Sequence, residues 1–210
     1  TGIKQTRGFK VGTVWMLELL NQYFGMAMGY LKENCRETPF KCGINVFSAD
    51  WDQMVRGLLE VSEYGMDLDY VAQDSAVGPW VYSSLARFMD GMYSKLGPKP
   101  TLEERTVRRC LLHSCLHYLM VVKSSVWQAK IGNPSGIKLT TMLATYTGLM
   151  DLRVSYLQTM RRVDPRLSTM MYYRMFVKDA AMGDDSWAAI ATVIIDSWNA
   201  KIHSENLASY

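Results

Sequence analysis

Two carboxylates stand side by side in "DAAMGDDSWAAI", residues 179–190, directly after Gly183 and between two short apolar runs. On its own this is a tight polar hairpin, because glycine reaches backbone angles that other residues avoid. It gains chemical meaning beside Asp69, which follows the apolar-containing run "YGMDL", and Asp74, five residues further on. If the strand ending at Asp69 lies next to the Gly-Asp-Asp hairpin, Asp69 and Asp184 converge. Close carboxylates repel one another strongly unless a cation neutralises them. Hard oxygen ligands suit Mg²⁺ or Mn²⁺. Two such ions side by side activate a hydroxyl and stabilise a pyrophosphate leaving group. A third element is "GNPSGIKLTTMLA", where Gly132, Pro134, Ser135 and Gly136 make a loop running into a helix. Such a loop presents backbone N–H groups to a ligand, although the same residues also make an ordinary helix entry.

These residues need elements to hold them, and periodicity supplies a coarse set. "TVWMLELLNQYFGMAMGYLKEN" reads as helix, with breaks allowed at Gly25 and Gly29. "SADWDQMVRGLLEVSEYG" reads as a helix capped by Ser48, with Asp50 in its first turn. "MDLDY" is a short strand, and "PWVYSSLARFMDGMYSKL" a helix entered through Pro79. After the "LGPKPT" linker, Thr101 and Glu104 form a capping-box pattern at the head of another helix. "MVVKSSVWQAK" reads as two strands about a Lys-Ser-Ser turn, and "LTTMLATYTGLMDLRVSYLQTMRR" as a long helix. "RMFVKDAAM" and "SWAAIATVI" read as strands flanking the Gly-Asp-Asp turn. Helices mixed with hairpin-joined strands predict an α+β fold with a small antiparallel sheet.

Bulk composition narrows the function classes. With 49% hydrophobic residues among 210, the chain can bury a sizeable core. Its 23 Lys and Arg against 20 Asp and Glu leave a net charge of only +3, so any nucleic-acid site must come from local clustering. Four cysteines without a dense framework, no signal peptide and no long apolar run lead us to expect a reduced, cytosolic setting. No Gly-x-x-x-x-Gly-Lys phosphate loop and no Gly-x-Ser-x-Gly elbow are present, which argues against P-loop enzymes and serine hydrolases. Cys110, His113 and His117 fall at helical spacing that zinc could use, but their amphipathic segment favours a core role. The basic clusters at 107–109 and 160–166 read as solvated helix faces. Trp15, Trp80, Trp127, Trp187 and Trp198 read as packing anchors. The opening "TGIKQTRG" and the closing "SENLASY" suggest an excerpt of a longer protein.

The order "DYVAQD", "GNPSGIKLTT", "MGDD" resembles motifs A, B and C of RNA-dependent RNA polymerases, with the strongest likeness to picornavirus-like enzymes. "KQTRGF" is similar to the end of their basic motif F, and "YFGMAMGYLKEN…CGINVFSADWDQMV" to the segment between motifs F and A. The resemblance implies a polymerase palm with a small antiparallel sheet packed on helices, plus part of the fingers. It implies a partial fingers segment at 1–65 and a palm core at 66–210, with a fingers-side insertion at about 97–131; the thumb would lie outside the chain. By matching positions, Asp69 and Asp184 would bind metal, with Asp185 beside them. Asp74 would sense the ribose 2′-hydroxyl. Ser135 and Gly136 would form the mobile motif B loop, and Thr140 would sit at the nucleotide. Arg7 would meet the incoming triphosphate, with Lys4 nearby. The implied cofactors are two Mg²⁺ or Mn²⁺ ions. The implied partners are RNA template and primer, nucleoside triphosphates and other viral replication proteins, without a transmembrane segment. The implied place is the host cytoplasm, at membrane-associated viral replication complexes.

Two positions depart from that family's pattern. Ala144 and Thr145 stand where Asn-Ser is usual, and Met182 where Tyr usually precedes Gly-Asp-Asp. Ala144 cannot make the amide hydrogen bonds that help select ribose, so Asp74, Thr140 and Thr145 are left to contact it. A motif D lysine, the family's general acid, is expected beyond Tyr210. Two rival readings share this outline. A reverse transcriptase has the same palm, but usually carries a bulky gate where Asp74 stands. An inactive RNA-binding scaffold would explain Ala144, but not the retention of all three aspartates.

Overall fold

The computed structural model describes residues 12–70 and 73–208, with the Val122 side chain not described. Lys4 and Arg7 lie outside the described residues. Helices α1 (Val14–Glu33) and α2 (Ala49–Leu59) precede strand β1 (Gly65–Asp69). Helices α3 (Gln73–Ala76), α4 (Pro79–Leu96) and α5 (Leu102–Leu116) follow, then strands β2 (Leu119–Val122) and β3 (Ser125–Gln128). After α6 (Thr140–Val163) and α7 (Met170–Phe176) come strands β4 (Val177–Met182) and β5 (Asp185–Ile190), then α8 (Thr192–Ile195) and α9 (Ala200–Leu207). The fold is α+β, as expected.

The chain forms two compact units. One combines Thr1–Ala27 with Ala72–Thr140, the other Met28–Val71 with Thr141–Tyr210.

In the second unit, the sheet order is β1-β5-β4, antiparallel throughout. Alternation along each strand gives the sheet two apolar faces. Met66, Ala188 and Ile190 pack one face against Leu152 and Tyr156 of α6 and against Trp198. Trp187, Ala180 and Met182 pack the other against Trp51 and Met54 of α2. Trp51 and Trp187 meet edge to face at 5.6 Å. The outer row of β4 is occupied: Lys41 N–H donates to Ala181 O (2.8 Å), and Ala181 N–H to Pro39 O (2.9 Å). The Ser48 cap forms as expected. The strand expected from Arg174 begins only at Val177, because Thr169 caps a further helical turn first.

In the first unit, α4 and α5 pack together; Val81, Leu85 and Met89 are buried on α4, and Leu112 and Leu116 on α5. The capping box of Thr101 and Glu104 is complete. Arg108, expected on a solvated face, is instead 3% exposed and donates to Asp90 at 2.9 and 2.7 Å, with its guanidinium over Tyr93. A buried arginine is tolerable only with such a partner. The tryptophans also divide: Trp198 is fully buried, whereas Trp15, Trp80 and Trp127 are exposed and anchor no core.

Candidate active site

The carboxylates meet because of strand register. Asp69 is the direct cross-strand partner of Asp185, and Met182 pairs with Asp185 across the hairpin. Gly183 and Asp184 are therefore the two-residue loop. Gly183 has φ +70, while Lys123 is the one described non-glycine residue with positive φ. That pattern fits a turn with glycine at its first central position, one that matches the twist of the flanking strands. Asp67 projects from the same side of β1 as Asp69, two residues along. Asp69, Asp184 and Asp185 are all exposed. The Asp185 carboxyl is pushed above its ordinary range, first by partial burial and then by the charges of Asp184, Asp69 and Asp67. Opposed like charges on neighbouring strands destabilise a sheet end.

A divalent cation would relieve that repulsion, and the donor set fits one. Among the described residues, no three His, Cys, Asp or Glu side chains form a ready-made metal cage. Mg²⁺ does not require one: it keeps several waters and takes one or two carboxylates together with substrate phosphates. An open edge of carboxylate oxygens suits that habit.

Thr145 is fully buried on α6, and its hydroxyl faces protein rather than solvent. It donates to Thr141 O (2.8 Å) and accepts Gly183 N–H (2.8 Å), with Cys42 Sγ at 3.0 Å. One hydrogen and two lone pairs are then all engaged. The residue expected at the ribose thus ties α6 to the Gly-Asp-Asp turn, a role that the resemblance did not suggest. Asp67 and Asp151 also escaped the sequence reading. Asp151, on α6 beside Tyr70, is raised to about 7 by burial, against a smaller lowering influence of Tyr70.

The remaining described candidates lie in the first unit. Asp74 is exposed in α3. Its carbonyl accepts Asn133 N–H, and Gly132 N–H donates to Val77 O (2.8 Å). Gly132 has φ +104, and a Cβ there would strike Asp74 O, so only glycine permits this approach. Asn133, buried at 4%, donates its amide to Thr140 O (3.0 Å). The Thr140 hydroxyl lies 2.7 Å from both Pro134 O and Ile137 O, so it shapes the loop from within. Ser135 is exposed and Gly136 half-buried at the loop surface. Asn133, the loop's staple, was legible only as a turn residue before proline.

His113 and Cys110 are exposed and His117 half-buried, so the expected core role is not met, and the three do not come together as a zinc-binding group among the described residues.

The family described as viral RNA-dependent RNA polymerase matches residues 5–210. The RNA1 polyprotein of Andean potato mottle virus is 26% identical over 206 residues, covering 98% of this chain and 28% of that protein. The replicase polyprotein of Drosophila C virus is 22% identical over 201 residues, covering 94% of this chain and 11% of that protein. Among solved structures, the Sicinivirus 3Dpol RNA dependent RNA polymerase is similar, with a TM-score of 0.61 and 18% identity. That match covers 89% of this chain and 35% of the solved one, and at this identity it speaks for the fold. The chain thus spans less than a third of the viral polyproteins it matches. With the motif order, the carboxylate geometry and a family match across almost its whole length, the chain belongs to the viral RNA-dependent RNA polymerases.

Proposed function

We propose that this chain carries the catalytic centre for template-directed RNA synthesis, transferring nucleotides from nucleoside triphosphates to an RNA 3′ end during viral genome replication. The observation that carries the reading is the register placing Asp69 opposite Asp185, next to the Asp184 turn. Two bound Mg²⁺ or Mn²⁺ ions would activate the 3′-hydroxyl and neutralise the pyrophosphate leaving group. Asp69 and Asp184 hold them, from a strand end and a turn that the sheet keeps rigid, and Asp185 adds charge beside them. Asp74, exposed and acceptor-bearing, takes the ribose 2′-hydroxyl. Ser135 and Gly136 touch template and nucleotide from a loop that Asn133 and Thr140 brace. Arg7 grips the triphosphate in a fixed fork. Thr145 positions the turn rather than touching ribose. Catalysis is then mainly positioning and charge stabilisation. Base pairing supplies sequence selection, so protein contacts go mainly to the RNA backbone.

The partners are RNA template and primer, nucleoside triphosphates and other viral replication proteins. The place of action is the host cytoplasm, at membrane-associated replication complexes. Among the described residues no helix is long and apolar enough to cross a membrane.

Primer extension on an RNA template, in a polymerase of its relatives' length that contains this chain, tests the reading. Extension should require Mg²⁺ or Mn²⁺, favour ribonucleotides, and fall by at least about a thousandfold in Asp184→Ala, the scale expected when charge stabilisation of a transition state is lost. Undiminished extension by Asp184→Ala would refute the assignment.

A further inference from the structure

The first unit contains a cavity of about 670 Å³ between α4 and α5, lined by none of the catalytic carboxylates. Its floor is apolar: Ala86, Leu112 and Leu116 line it and are each at most 3% exposed. Its rim is basic: Arg87 from α4, and Arg109, His113 and His117 from the other side. No Asp or Glu lines it. Asp90, near Arg109, does not cancel this charge. Its carboxylate takes two close hydrogen bonds from Arg108 and stands 3.9 Å from Arg109, so one negative group serves two guanidiniums. Arg87 forms no ion pair among the described residues. The surrounding sequence repeats the bias: from Arg105 to Met150 there is no Asp or Glu, but six Lys and Arg. This acid-free stretch therefore carries a formal charge of +6, against +3 for the whole chain.

An apolar floor under a basic rim calls for a ligand with both a flat, weakly polar part and an anionic part. The rings of His113 and His117 lie 4.2 Å apart at a 49° tilt, offering aromatic surface at the rim. The volume falls within the range of small-molecule sites, about 300–1,000 Å³. Inorganic phosphate alone would leave the floor unused. We propose that the α4–α5 cavity is a nucleotide-binding site separate from the catalytic carboxylates, with the base over Leu112 and Leu116 and the phosphates held by Arg87 and Arg109. Arginine is suited to this because its planar fork matches phosphate oxygens. Free nucleotides and nucleotides within an RNA strand present the same chemistry.

The three histidines make the test direct. With a chelator present, so that no divalent cation joins triphosphate to the carboxylates, ATP is titrated while the histidine ring signals are followed by NMR. His113 and His117 signals should move together and saturate at about millimolar concentration or below. His203, in the other unit, should not respond. Arg87→Glu, an exposed change with no ion pair to break, should weaken binding at least about tenfold while leaving the circular dichroism spectrum unchanged. Adenosine should bind at least as much more weakly than ATP. A short RNA oligomer that saturates below the ATP concentration marks an RNA strand as the source; the reverse order marks free nucleotide. Unmoved His113 and His117 signals, an undiminished affinity in Arg87→Glu, or adenosine binding as tightly as ATP would each overturn the proposal. Inorganic triphosphate binding as tightly as ATP would overturn the role of the apolar floor.

Discussion

At the scale of single residues, Asp185 and Thr145 answer opposite needs. Asp185 is held where its charge is unwelcome, opposite Asp69 and next to Asp184. Asp185→Asn should therefore stabilise the metal-free chain by a few tenths of a kcal/mol, up to about 1, and reduce the rise in Tm caused by Mg²⁺. Thermal melts with and without Mg²⁺ read both effects, and a variant less stable than the parent without metal would contradict the argument. Thr145 is the reverse case, a side chain whose every hydrogen-bonding capacity is used. Thr145→Val keeps the shape but leaves Gly183 N–H without its acceptor, which should cost about 1–3 kcal/mol and slow primer extension. Thr145→Ser should restore most of both losses, since it returns the hydroxyl; equal damage in both variants would point to packing alone. The sequence made the residue types of this site legible but not their directions. The family resemblance put Thr145 at the nucleotide; only the helix phase shows its hydroxyl turned inward.

At the scale of elements, α6 and β5 meet where Gly148 faces Ser186. A Cβ on Gly148 would collide with Ser186 Oγ, whereas Ser186 Cβ and Tyr70 Cε2 would lie at 3.5 and 3.7 Å, ordinary contact distances. Ser186 is fully buried, and its hydroxyl has no partner among the described residues. Gly148→Ala alone should destabilise the chain. Ser186→Ala alone should be neutral or stabilising by about 1 kcal/mol, because it removes a buried unpaired hydroxyl. Together they should stabilise beyond Ser186→Ala, since alanine gains about 1 kcal/mol of helix propensity over glycine. A denaturant-melt cycle over the four proteins measures the coupling, and strict additivity would disprove the collision. Elements with strong local signals were readable, as the Thr101–Glu104 box and the Gly-Asp-Asp hairpin demonstrate. The "RMFV" run was not, because a short apolar stretch suits helix and strand equally; Thr169 decides it by capping α7. Exposure of Trp15, Trp80 and Trp127 was equally hidden, since residue type alone does not say which face lacks a neighbour.

At the scale of the whole molecule, acid should act through His203. This residue is 1% exposed, stands edge-on to Trp198, and neither ring nitrogen has a partner among the described residues. Burial lowers its pKa from 6.5 to about 4. As pH falls below about 6.5 the unfolded chain binds a proton that the folded His203 refuses, so the His203 contribution to stability declines until about pH 4, while the raised Asp151 carboxyl contributes in the opposite sense over the same range. The full loss is about 3 kcal/mol. The Tm of His203→Leu relative to the parent should rise as pH is lowered from 7.5 to 4; a difference that stays constant with pH would clear His203 of the effect. The interleaving of the two units was beyond sequence reading, because periodicity reports local structure and says nothing of which distant segments share a core. The strip from Pro39 to Lys41 has a consequence at this same scale. By claiming the border of β4, it denies a neighbouring molecule the row of free amides and carbonyls on which strands zip together. At high concentration, copies of the chain are thereby kept from pairing along that border.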